Sequence, residues 1–235
     1  MTAQEILDEI KPLGSEKYKR VIFKYGVTEP CYGVKIGDLQ KIVKRIKKDY
    51  QLALDLFETG VYDAMYLAGL IADDAKMTKK DLKNWITKAY CRPLCGWTVA
   101  WVAAGSPQGW ELALSWIDSK KSLTAVAGWA TFGSIVSVVK DEQLDLIELK
   151  KLLERVQSTI HDQPDAVRYQ MNAFVISVGS YVAELTDTAV KVGKKIGPIT
   201  ADLGDNDCKT PYAPEYIEKI RLRGSIGKKR KTAKC

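Results

Sequence analysis

Apolar residues return every three or four positions over most of the 235-residue chain, the spacing that lays one face of an α-helix against a core. Ile36, Leu39, Ile42, Val43 and Ile46 form one such stripe, with Lys41, Lys44, Arg45, Lys47 and Lys48 largely opposite it. Leu52, Leu54, Leu56 and Phe57 predict a short helix closing near Gly60, and Ala64, Leu67, Ala68 and Ile71 the next. Thr78, with Asp81 three residues on, predicts a capped helix carrying Leu82, Trp85, Ile86 and Ala89. Pro93 interrupts the pattern ahead of an apolar segment, Trp97–Ala104. Ser106-Pro107 predicts a helix start with proline in its first turn, running to Ile117. Further helices are predicted over 122–138, 142–159, 165–181, 184–196 and 214–222, the last closed by Gly224.

No alternation of the strand type is sustained, so the fold class predicted is all-α. Short connections make consecutive helices antiparallel neighbours. About twelve helices stack as an α-α superhelix, a HEAT-like repeat solenoid of about six antiparallel pairs. A compact bundle is the alternative packing. The organisation expected is a helical solenoid over 1–211, followed by a short helix and a basic C-terminal tail, free to move, over 212–235.

Charge sharpens this picture. The net charge of +7 is unevenly spread: residues 219–235 hold eight Lys/Arg and no acid, and residues 1–48 hold eleven basic against six acidic side chains. Residues 49–218 carry seventeen basic and twenty-three acidic. Basic ends suit an anionic partner, whereas the acidic middle suits a protein-interaction scaffold. The longest apolar runs fall short of the ~18–20 residues that span a bilayer, and the N-terminus lacks a basic-then-apolar leader. A cytoplasmic protein without membrane contact is expected. The five cysteines are scattered and expected to be reduced thiols. Cys91 and Cys95 form an isolated C-x3-C pair, and the single histidine, His161, stands far away. A zinc site takes about four ligands, so neither metal nor cofactor is expected.

The run Tyr32-Gly33-Val34-Lys35-Ile36-Gly37-Asp38-Leu39-Gln40-Lys41, a glycine-bearing loop entering a basic helix, resembles the DNA alkylation repair (AlkD-like) family. Tyr62-Asp63-Ala64-Met65-Tyr66-Leu67-Ala68 looks like that family's next repeat, and Cys95-Gly96-Trp97-Thr98-Val99-Ala100-Trp101 like its central helix. The segment from Asp205 through Lys231 looks like the end of a divergent branch. The resemblance implies a HEAT-like solenoid that holds double-stranded DNA, as a monomer, and releases N3- or N7-alkylated purines. Such bases are cationic and leave readily. The family therefore needs chiefly a carboxylate near the sugar and aromatic faces around the nucleotide. Carried over, its Trp-Asp-x-x-Asp arrangement puts Gly96 at the tryptophan and Ala100 at the catalytic aspartate. The following arginine falls near Val126 and a later tryptophan near Phe174. No Asp or Glu occurs between Asp81 and Glu111. The catalytic residue is unassigned: the branch uses another carboxylate, or binds DNA without cleaving the glycosidic bond.

Nucleic-acid contacts are expected from Trp97 and Trp101, Arg168 and Tyr169, the helix bearing Lys41, Lys44 and Arg45, and the tail's Lys228, Lys229, Arg230 and Lys231, which would neutralise phosphates. Trp97, Trp101, Trp110, Trp116 and Trp129 are either a platform for nucleotides or ordinary packing. Trp97, preceded by glycine, is the most accessible of them. Lys191, Lys194 and Lys195 suit a helix C-terminus. Asp202, Asp205, Asn206 and Asp207 lack the spacing of a calcium loop and read as turn and cap residues. Gly224-Ser225-Ile226-Gly227-Lys228 lacks the flanking strand and helix of a phosphate loop.

Overall fold

The computed structural model describes residues 1–204 and 209–234. Asp205, Asn206 and Asp207, read above as turn residues, lie outside them, as do Cys208 and Cys235. The described residues form thirteen α-helices joined by short 3-10 and π-helical turns and loops, and no strand occurs among them beyond one bridge between Gly14 and Val34. The chain divides into two compact units: Met1–Leu112 together with Lys234, and Ala113–Leu203 together with 209–233. The division falls inside the 1–211 stretch that was expected to be one solenoid.

In the first unit α1 (Ala3–Ile10) and α2 (Glu16–Phe23) precede α3 (Ile36–Ile46), α4 (Tyr50–Glu58), α5 (Tyr62–Ile71) and α6 (Lys79–Lys88). A π-helical turn, Leu94–Val99, then runs into α7 (Ala100–Ala104). Thr2 caps α1 in a reciprocal box with Glu5, and Thr78 caps α6 in another with Asp81. Each box satisfies two backbone donors that the first helical turn leaves open. Every residue of α5 is buried, so the helix is apolar all round and forms the unit's centre. Its Gly69 faces the π-turn so closely that an added Cβ would lie 2.6 Å from Thr98 Cγ2.

The helix predicted from Ser106-Pro107 begins later: α8 spans Gly109–Ile117. An added Cβ at Gly109 would lie 2.1 Å from the Ala103 carbonyl oxygen, so that turn has room only for glycine. In the second unit α9 (Ser122–Val138) packs along α11 (Asp165–Tyr181), with α10 (Leu146–Thr159), α12 (Thr186–Ile196) and α13 (Ala213–Leu222) around them. Trp129, Phe132 and Phe174 meet at its core with ring centroids 5.3–6.5 Å apart. Helix α13 packs on α11 and α12, with Ile217 over Gly179 and Pro214 over Gly193.

The tail is not the loose segment its composition suggests. The Gly227 amide donates to Ser180 O at 2.9 Å and the Arg230 amide to Ser137 O at 2.7 Å. Lys229 pairs with Asp141 at 2.7 Å and donates to Val136 O at 2.8 Å. In the first unit Lys234 pairs with Asp74 at 2.6 Å and donates to Ala72 O at 2.9 Å. Backbone hydrogen bonds and partly buried lysines hold what charge alone would leave solvated. Among the described residues no helix is long and apolar enough to cross a membrane, and no three His, Cys, Asp or Glu side chains are placed to hold a metal.

Candidate functional site

The first unit holds a cavity of about 220 Å³. Helix α2 contributes Tyr18, Val21 and Ile22, and the turn that follows it contributes Tyr25. Val34, Ile36 and Leu39 come from the entry to α3, Tyr62, Asp63 and Tyr66 from α5, Trp97 from the π-turn and Pro93 from the residue just before it. Five of these side chains are aromatic.

The loop between α2 and α3 is fixed by one carboxylate. Asp63 is 1% exposed. Its Oδ2 accepts from the Tyr32 amide at 2.6 Å and the Gly33 amide at 3.3 Å, and its Oδ1 accepts from the Val34 amide at 2.7 Å. Three N–H donors converging on one carboxylate offset the cost of burying its charge. Gly33 makes the turn possible: its φ is +75°, and a Cβ there would sit 2.7 Å from Ser15 O. Burial together with the Asp63 charge pushes the Cys31 thiol up to about 12. The same two causes, burial first, raise the Tyr18 phenol.

The π-turn sets the cavity's aromatic edge. Extra residues per turn displace side chains from α-helical register, and such turns recur at functional sites. Trp97 is 43% exposed, whereas Trp101 is 6% exposed. Their rings lie parallel, 6.4 Å apart and 6° from coplanar, and Tyr66 meets Trp101 edge-on at 5.8 Å. A row of aromatics thus backs Trp97 from within the unit and leaves much of its surface open.

The other predicted contacts divide by what already occupies them. On α3 Lys44 is exposed, Lys41 pairs with Asp38 at 2.8 Å, and Arg45 pairs with Glu9 at 2.5 Å. Arg168 turns inward in the second unit: Nη1 donates to Thr200 O at 3.0 Å and Asp165 at 3.3 Å, and Nη2 to Gln163 O at 2.9 Å and His161 O at 3.4 Å. Both terminal nitrogens meant for phosphates are engaged within the fold. Tyr169 beside it is half-buried. In the tail Lys228, Arg230 and Lys231 are exposed, and Lys229 is the partly buried anchor. Trp110 is half-buried, and Trp116 and Trp129 are buried packing residues. The sequence pattern did not single out the residues that build the cavity, Tyr18, Tyr25, Tyr62, Asp63 and Tyr66. The stripe 18, 21, 22, 25 was the available signal.

Comparison with known proteins places this geometry. The sequence model of the family described as DNA alkylation repair enzyme matches residues 6–217. An uncharacterised protein of Listeria innocua and another of Listeria monocytogenes are each 29% identical over 230 residues, 95% of this chain and 99% of theirs. A solved structure from a new family of proteins related to the HEAT-like repeat DNA glycosylases, with affinity for branched DNA structures, shares the fold. Its TM-score is 0.91 with 34% identity, covering 100% of each chain.

Proposed function

The chain belongs to the DNA alkylation repair enzyme family, and from that premise we propose that it is a HEAT-like repeat protein that binds DNA, branched DNA in particular, without hydrolysing glycosidic bonds. The state of the cavity's carboxylate carries this reading. A glycosylase needs an acid able to approach the sugar and stabilise a developing cation. Residues 82–110 contain no Asp or Glu, and Asp63, the acid lining the cavity, spends both oxygens on backbone amides. The 34%-identical structural relative, with its affinity for branched DNA, supports the choice of ligand. Exposed Lys44, Lys228, Arg230 and Lys231, together with Lys41, are the cations we assign to phosphates, and Trp97 the aromatic surface we assign to the nucleotide. Backbone contacts of this kind give affinity without sequence preference. We place the protein in the cytoplasm, acting as a monomer on duplex arms.

Two measurements test this. Incubation with duplex containing 7-methylguanine is expected to release no base; release would restore the hydrolytic reading. Titration of binding against salt is expected to give a steep slope and tighter binding to a three-way junction than to a linear duplex. Replacing Lys228, Arg230 and Lys231 by alanine should lower that slope by up to about 3, roughly one per phosphate contact. Absence of any salt-sensitive DNA affinity would sink the proposal.

A further inference from the structure

The first unit's cavity combines two features that DNA phosphates do not call for, an aromatic wall and a buried negative charge. Tyr18, Tyr25, Tyr62, Tyr66 and Trp97 line about 220 Å³, less than the ~300–1,000 Å³ of sites for drug-sized ligands. Aromatic rings carry negative potential on their faces. Trp97, 43% exposed and stacked on Trp101, is the accessible ring. Tyr62 and Tyr66, tilted 37° to each other at 6.3 Å, are buried.

Asp63 adds a full charge to that wall. Its three partners are the neutral amides of Tyr32, Gly33 and Val34, which satisfy its oxygens and leave its charge in place. That charge is felt among the rings: after burial, it is the next cause that raises the Tyr18 phenol. Lys19 of α2 is bound to Glu16 and Glu29, and Lys17 and Arg20 are exposed, where water and salt screen them. An anion would be repelled here, and a neutral apolar guest would leave the carboxylate's field unanswered. A cation bearing N–H groups needs acceptors, but three of the roughly four acceptor positions on Asp63 are taken. It would give up water without regaining partners. A peralkylated ammonium has no N–H to satisfy. Charge alone draws it, and its methyl groups pack on ring faces.

We infer that this cavity is an aromatic cage for the trimethylammonium group of a small free molecule, held among the tyrosines and Trp97 with Asp63 as its counter-charge. Of the lining residues only Val21 and Trp97 are exposed, and the volume holds a head group and little more, which suits a small free molecule. The inference stands on the cavity and not on DNA binding, so each reading can fail without the other.

The test uses the full chain, calorimetric titration at one ionic strength and two probes of the same shape. One is choline; the other is its uncharged isostere, with a tert-butyl group in place of trimethylammonium. Choline is expected to bind at millimolar concentration or below, and the isostere at least about tenfold more weakly, the scale of one desolvated cation–π contact. Trp97→Leu keeps an apolar side chain at an exposed position and removes the ring. It should weaken choline about tenfold and the isostere less than about twofold, with the melting temperature unchanged. Should that variant unfold, the comparison of the two probes on wild-type protein still decides. Phosphatidylcholine vesicles check the source of the group: co-sedimentation with them, without binding of free choline, would overturn the inference in favour of a lipid surface. Equal binding of the two probes, choline affinity unmoved in folded Trp97→Leu, or no choline binding at millimolar concentration would each overturn it as well.

Discussion

The two units use the same residue types to opposite ends. In the first, aromatic side chains stop short of filling the space between α2, α5 and the π-turn, and Trp97 remains 43% exposed. In the second, Trp129, Phe132 and Phe174 are each no more than 1% exposed and interlock, with the Arg155 guanidinium 5.8 Å over the Trp129 ring. The cations differ likewise. Arg168 and Arg155 of the second unit serve its own carbonyls and carboxylates, whereas Lys17 and Arg20 of the first are exposed. Tryptophan or arginine content therefore does not mark a binding surface in this fold. The two units differ in whether their aromatic side chains have a closed neighbourhood.

The sharpest test exchanges the two tryptophans' fates. Trp129→Ala should cost about 3–5 kcal/mol of stability, read by chemical denaturation, because it empties a closed core. Its effect on DNA affinity should be small wherever the protein remains folded. Asp63→Ala should cost about 3 kcal/mol or more, since three buried amides lose their acceptor. Asp63→Asn, which keeps one oxygen, should fall between it and wild type. A neutral Asp63→Ala would show that the loop does not depend on the carboxylate.

Lys234→Ala should cost about 2 kcal/mol at neutral pH, somewhat less than a fully buried broken pair because both side chains keep some solvent contact. Burial raises the Asp74 carboxyl above its ordinary value of 3.8, and the Lys234 cation opposes that rise. A carboxyl raised by folding favours the folded state when protonated and loses that contribution as pH climbs through its folded value. Without Lys234 the penalty should thus be complete at neutral pH and shrink as pH falls toward 3.8. A deficit independent of pH would argue against the pair. Trp97→Ala should cost under about 1 kcal/mol of stability, in contrast to Trp129→Ala, and show itself in DNA affinity. Smallest of all is the expected change in thiol chemistry. Burial pushes the Cys31 and Cys91 thiols up to about 12, so with Cys95, also buried, they should resist alkylation at pH 8 until denaturant is added. Rapid reaction of all five cysteines in the native protein would contradict that.

Much of the fold was legible. The stripe on α3, the Thr78–Asp81 box and the long helices of the second unit follow from periodicity and capping chemistry, which act within a few residues. Helices α1 and α2 were not predicted, although the Thr2–Glu5 box that caps α1 is of the same kind as the one at Thr78. The cavity was not legible, for physical reasons that can be named. Asp63 sits in an apolar run and its partners lie 29–31 residues earlier, a pairing that no local pattern encodes. The stripe on α2 reads as core, and nothing in its sequence shows that the opposing wall stands back. The accessibility of Trp97 was expected from the glycine before it and is seen at 43% exposure, but the π-turn that sets it has no periodic signature. The tail misled through composition: eight basic residues suggest solvation, but backbone amides and two lysines decide its course.

The pairing of Asp74 with Lys234 also bears on how the protein is made. Lys234 donates to Ala72 O from 162 residues downstream. At ordinary synthesis rates of about 5–20 residues per second, its codon is reached on the order of ten seconds after those of its partners. The first unit leaves the ribosome with most of its core complete and one half-desolvated carboxylate lacking its cation. That unit can begin to fold alone, but its Asp74–Lys234 pair can close only after the second unit's residues have been translated.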